Sequence, residues 1–138
     1  MYRIAIKKLF KWKESKYRKP LIIEGARQVG KTWLMKEFGR QAYQDTVYVN
    51  FDSNSKMAEL FASDLNTDRL IMGLELYAGR KIDPDNTLLI FDEVQEVPRA
   101  LTSLKYFCEN APQYHIVCAG SLSGIAVRPC SSFPVGMN

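Results

Sequence analysis

The chain has 138 residues, 46% of them apolar and 25% charged, with a net charge of +4, which is ordinary for one soluble globular domain with a single core. No run approaches the roughly 18 apolar residues of a membrane helix, and the basic N-terminus is followed by no apolar block with a small-residue cleavage site, so a cytoplasmic location without a membrane partner is expected. Cys108, Cys118 and Cys130 are odd in number and share no CxxC spacing, which argues against a disulfide framework and a zinc site.

Residues 1–19 carry eight basic side chains against Glu14, or +7, so the rest of the chain sums to 4 − 7 = −3. Tyr2, Ile6, Leu9 and Phe10 fall at helical spacing, so the segment reads as an amphipathic helix with a buried face and a solvated basic one. The same charge would attract nucleic acid or an acidic partner. Lys19-Pro20 marks a break, because the residue before proline disfavours helix. Leu21 to Glu24 then reads as a short buried strand ending at Gly25. A helix follows from near Gly30, with Leu34, Met35 and Phe38 on one face and Gly39 near its end. Thr46 to Phe51 alternates and is β-branched, a second strand. A helical stretch runs through Met57, Leu60 and Phe61. The next helix has Thr67 as N-cap, Leu70, Ile71, Leu74 and Tyr77 inward, and Gly79 at its stop.

Asp83-Pro84-Asp85-Asn86 is a turn by composition. Thr87 to Phe91 is a continuous apolar run, as expected of a parallel strand covered on both faces. Pro98 opens a helix in which Ala100, Leu101, Leu104, Phe107 and Cys108 repeat at helical spacing. His115 to Ala119 is a fourth strand, ending at Gly120-Ser121. His115 reads as a strand residue and nothing more, while Cys108 and Cys118 read as small core residues. Strands alternating with helices predict a parallel α/β sheet, with ligands at the carboxyl ends of its strands. The chain divides into the helix 1–19, a core over 20–128 and an irregular tail over 129–138.

Two of those strand ends carry chemistry. Gly25-Ala26-Arg27-Gln28-Val29-Gly30-Lys31-Thr32 matches GxxxxGK[ST] between an apolar strand and an amphipathic helix. Backbone N–H groups there must curl around phosphate oxygens, which side chains at the two glycines would obstruct. The helix that begins near Gly30 points its partial positive end at the anion, and Trp33 is counted with the nucleotide-binding residues. Lys31 would meet the β- and γ-phosphates of ATP, and the Thr32 hydroxyl would ligate Mg²⁺. Arg27 lies within the loop and is given no chemistry of its own. The second piece is Leu88-Leu89-Ile90-Phe91-Asp92-Glu93. Adjacent carboxylates at a strand end face different ways, so Asp92 can serve Mg²⁺ while Glu93 orients and deprotonates water. Ser121 is a candidate for touching the γ-phosphate or the water, though serine at a strand end is also a common cap. No NKxD segment exists to read guanine. Leu122-Ser123-Gly124 matches part of a transporter-ATPase signature, but it follows the acidic strand instead of preceding it.

The stretch Lys19 to Thr32 closely resembles a group of bacterial and archaeal AAA+ ATPases that pair an N-terminal AAA-type domain with a C-terminal domain of unknown function. Phe91-Asp92-Glu93-Val94-Gln95, Ala119-Gly120-Ser121-Leu122 and Ser132-Phe133-Pro134-Val135-Gly136 are similar to the same family in the same order. The resemblance implies a Walker A loop at Gly25–Thr32, a Walker B strand at Leu88–Glu93 and a sensor-1 position near Ser121. It also implies strand order 5-1-4-3-2, a protein partner or homo-oligomer, and continuation beyond the Ser-Phe-Pro-Val-Gly segment. This chain stops at Asn138, so strand five is expected to be absent and the first strand to lie at a sheet edge, a pairing hazard. Sensor-2 and arginine-finger residues match no motif here, Arg128 included. The expectation is an ATP-binding, Mg²⁺-dependent ATPase module with weak turnover, or a nucleotide-switched module that binds protein or DNA.

Overall fold

A computed structural model describes residues 2–23 and 30–121. In chain order its elements are α1 (Tyr2–Glu14), β1 (Leu21–Ile23), α2 (Gly30–Ala42), β2 (Asp45–Asn50), α3 (Ser55–Ala62), α4 (Thr67–Ala78), β3 (Thr87–Asp92), α5 (Pro98–Asn110) and β4 (His115–Ala119). The four strands form one sheet in the order β1-β4-β3-β2, and every pairing is parallel. This is the expected α/β core, with the expected neighbours 1-4-3-2.

The strand pleat sends alternate side chains into two separate cores. Leu21, Ile23, Leu88, Ile90, Val117 and Ala119 face α1 and α2. Ile22, Val47, Val49, Leu89, Phe91, Ile116 and Cys118 face the layer of α3, α4 and α5. The sheet is therefore the middle of three layers, and the continuous apolar runs of β3 and β4 follow from cover on both faces.

Several element-level expectations need correction. The buried face of α1 is Ala5, Leu9 and Trp12, with Ile6 and Phe10 only half-buried. Gly39 lies near the end of α2, as expected, three residues before Ala42. A Cβ there would meet Thr46 Oγ1 at 2.5 Å and Leu88 Cδ2 at 3.3 Å, so it lets the helix lie close on the sheet. Strand β2 ends at Asn50, one residue before Phe51. The N-cap of α4 is Asn66, whose side chain accepts from Arg69 N–H, while Thr67 is the first helical residue; asparagine is the stronger cap. Tyr77 is 41% exposed, not inward, and its hydroxyl accepts from Asn54 Nδ2 at 3.1 Å. Cys118 is a buried core residue with a free thiol, as expected, whereas Cys108 is half-buried and disulfide-bonded, which corrects both its reading as a small core residue and the expectation against disulfides. His115 does more than fill a strand: its Nδ1 meets the Tyr43 hydroxyl, and its ring packs edge-on against Trp12. Among the described residues, no helix is long and apolar enough to cross a membrane.

Candidate functional site at the carboxyl ends of the strands

β3 and the start of α2 meet at one corner of the sheet. Asp92 ends β3, pairs across with Asn50 of β2, and is only 4% exposed. Its Oδ2 accepts from the Thr32 hydroxyl at 2.6 Å and from the Tyr48 hydroxyl at 2.7 Å. Its Oδ1 accepts from the Glu93 N–H at 3.0 Å. The hydrogen bond between Thr32 and Asp92 joins positions 60 residues apart. It is possible because α2 starts where β1 delivers the chain, one strand away from β3 across β4.

Tyr48 was not anticipated. It points to the α1–α2 face of β2, opposite Val47 and Val49, with Lys36 Nζ 4.0 Å from its ring centroid. Burial, then the hydrogen bond and charge of Asp92, push its phenol above the ordinary range, so it stays a donor. The alternation of β2 reveals its face; no sequence signal links it to a carboxylate on another strand.

At the same edge Lys31 Nζ donates to the Gly120 carbonyl just beyond β4, at 3.4 Å. Ser121 N–H donates to Gln95 Oε1 at 3.1 Å, and Gln95 Nε2 donates to Glu93 Oε1 at 2.8 Å. Nothing along the chain marks Gln95 for these contacts. Glu93 itself adopts a left-handed backbone (φ 53°, ψ 43°), leading into a 3-10 turn over Val94–Glu96. This is a conformation that non-glycine residues adopt rarely and that recurs at functional sites. Gly30 is buried at the head of α2, and Trp33, one residue past Thr32, is 50% exposed. Gly25, Ala26, Arg27, Gln28 and Val29 lie outside the described residues, as does the segment from Leu122 onward with Arg128 and the tail 129–138.

The donor set fits a hard divalent cation. None of the ion pairs among the described residues includes Asp92, so its buried charge is met there only by hydroxyls and an N–H. A carboxylate beside a threonine hydroxyl suits Mg²⁺, which takes one or two protein oxygens and completes its octahedron with water and phosphate. No group of three or more His, Cys, Asp or Glu side chains that could hold a metal occurs among the described residues.

A family model described as an AAA domain matches residues 17–138. The chain belongs to this family, and its class is that of the ATP-binding P-loop ATPase modules. Residues 2–14, which form α1, precede the matched region. A search of curated proteins finds no match. Among solved structures, the chain is similar to PCH-2 of C. elegans at 20% identity and a TM-score of 0.47, over 92% of this chain and 36% of that one. The chain thus spans about 36% of that protein's length.

Proposed function

We propose that the chain binds Mg·ATP between the start of α2 and the end of β3 and hydrolyses it slowly, in a cytoplasmic setting. The observation that supports this most directly is the 2.6 Å hydrogen bond from Thr32 to Asp92. It joins the last residue of the phosphate motif to the acid that ends an apolar strand. In this reading, backbone N–H groups of Gly25, Ala26, Arg27, Gln28, Val29 and Gly30 cradle the phosphates, with Trp33 at the rim. Lys31 leaves the Gly120 carbonyl for the β- and γ-phosphates. Thr32 and Asp92 would hold Mg²⁺, directly and through water, and the ion would supply charge neutralisation at the phosphates.

Glu93 takes a proton from a water whose oxygen attacks the γ-phosphorus. The bond from that phosphorus to the β,γ-bridging oxygen breaks, its electron pair leaves with ADP, and inorganic phosphate departs. General-base assistance of this kind contributes ~10²–10⁴ in rate. Ser121, beside Glu93 through Gln95, contacts the γ-phosphate or that water. Positive charge on the transferring group, the usual role of an arginine finger, comes from a second subunit or another domain, so the chain alone turns over weakly.

Calorimetric titration with Mg·ATP tests the reading. Lys31→Ala should weaken binding at least about tenfold, the loss of a charge-assisted contact, and unchanged affinity would refute the cradle. Glu93→Gln should bind Mg·ATP like the wild type while losing turnover; full activity would remove Glu93 from the mechanism.

A second reading is a nucleotide-switched module that grips DNA or an acidic partner through α1. It is favoured by one observation: Arg3, Lys7 and Lys11, spaced four apart on α1, are all exposed.

A further inference from the structure

One set of contacts at this edge is unused by the hydrolytic scheme. After β3 the left-handed Glu93 and the turn that follows bring Gln95 back over the residue two positions before it, so that Gln95 Nε2 donates to Glu93 Oε1 at 2.8 Å. A second acceptor, Glu96 Oε2, lies at a longer 3.4 Å. The other end of the same amide accepts from Ser121 N–H at 3.1 Å. A carboxamide donates from its nitrogen to an acid while its oxygen accepts from a backbone N–H.

Gly120 makes the arrangement possible. A Cβ at that position would stand 2.1 Å from Gln95 Oε1 and 3.1 Å from Val94 N, so a larger residue would displace the amide. On its other side the Gly120 carbonyl accepts from Lys31 Nζ. The pair Gly120-Ser121 is therefore tied to the lysine and, through Gln95, to the glutamate.

We infer that Gln95 is a positioning residue for Glu93, aiming its carboxylate from the end of β4. This rests on the reading that Glu93 acts on the attacking water. A glutamate side chain is costly to order because of its rotamer freedom. A fixed N–H donor on one oxygen removes much of that freedom and leaves the other oxygen to face the water. Because the donor is anchored on Ser121, any shift of Gly120-Ser121 when Lys31 changes partner reaches Glu93 directly.

The test uses the whole chain with Gln95→Ala, Gln95→Glu and Gly120→Ala. Three quantities are measured: turnover of Mg·ATP, Mg·ATP affinity by calorimetry, and the amide resonance of Ser121. Gln95→Ala and Gly120→Ala should lower kcat by about tenfold to a hundredfold, the scale of a misplaced reacting group, with affinity within about twofold. The two variants disturb the same contact from opposite sides, so either one suffices if the other fails to fold. Gln95→Glu keeps the acceptor for Ser121 but replaces the donor with a second anion, so it should lose turnover while leaving the Ser121 resonance in place. Gln95→Ala should move that resonance, and so should Glu93→Ala. Unchanged kcat in Gln95→Ala would overturn the inference, as would a fall in kcat matched by an equal fall in affinity. If the wild type turned over no ATP, the hydrolytic reading alone would fail. The Ser121 resonance would then decide: unmoved by Gln95→Ala or Glu93→Ala it refutes the coupling, and moved by both it upholds it.

Discussion

At the scale of single residues, the site is built around one buried carboxylate. Asp92 has two hydroxyl donors on Oδ2, from Thr32 and Tyr48, and one N–H donor on Oδ1. Hydrogen bonds to charged groups contribute about 1.5–3 kcal/mol each. Tyr48 is only half-buried, which places its share at the lower end. Tyr48→Phe should therefore reduce the unfolding free energy in urea by about 1.5 kcal/mol without nucleotide. An unchanged midpoint and slope would show that the phenol does not hold the carboxylate. The motif residues around Asp92 were legible because chemistry fixes their spacing along the chain: Lys31 and Thr32 must follow the loop, and two acids must follow an apolar strand. Tyr48 and Gln95 were not. Their roles depend on which strand lies beside which, and on a left-handed turn at Glu93 that a glutamate rarely makes.

At the scale of elements, β4 begins in an aromatic enclosure shared with the helical layer. His115 stands 6.0 Å from the ring of Trp12 in α1 and 5.2 Å from that of Tyr43, just past α2. Burial, reinforced by the charges of Arg18 and Lys13, lowers its pKa to about 4. The unfolded chain binds this proton more readily, with an ordinary value near 6.5. The stability it contributes is therefore complete above pH 6.5, declines as pH falls from there, and is gone below about 4. Thermal midpoints at pH 7.5 and 5 should consequently differ less in His115→Gln than in the wild type; an equal difference would exclude this histidine as a source of the acid sensitivity. Strands were the most legible elements, since apolar runs between turn residues admit few alternatives. Helix boundaries were less so. Asn66 displaced Thr67 as cap because both can serve and only the backbone decides. The packing role of Gly39 was not legible, because close approach to Thr46 and Leu88 has no signature along the chain.

At the scale of the whole molecule, α1 couples the basic N-terminal segment to the core. Leu9 and Trp12 are buried, and Phe10 and Trp12 pack edge-on against Phe38 of α2. Of the eight cations in residues 1–19, two are engaged in the fold: Lys13 Nζ donates to the Ala42 carbonyl at 2.9 Å, and Arg18 donates to the Pro112 carbonyl at 3.0 Å. Removing residues 1–19 would thus strip core as well as charge, so DNA binding is better tested by substituting the exposed stripe. If α1 contacts phosphates through Arg3, Lys7 and Lys11, log K should fall with log salt at a slope of about −3, near −0.9 per phosphate neutralised. Gln at all three positions should flatten it, and a slope unaffected by those changes would discard the DNA reading.

The sheet holds its first strand lightly. β1 is three residues long and, among the described residues, pairs with β4 alone. Its place depends more on the burial of Leu21, Ile22 and Ile23 than on its ladder. A nucleotide gripped between the loop after β1 and Asp92 on β3 would fasten an outer plank to an inner one across the plank between them. At a hundred times Kd such a rivet would add about 2.7 kcal/mol to folding, so the molecule would be tightest when loaded and would loosen at this margin once the product had gone.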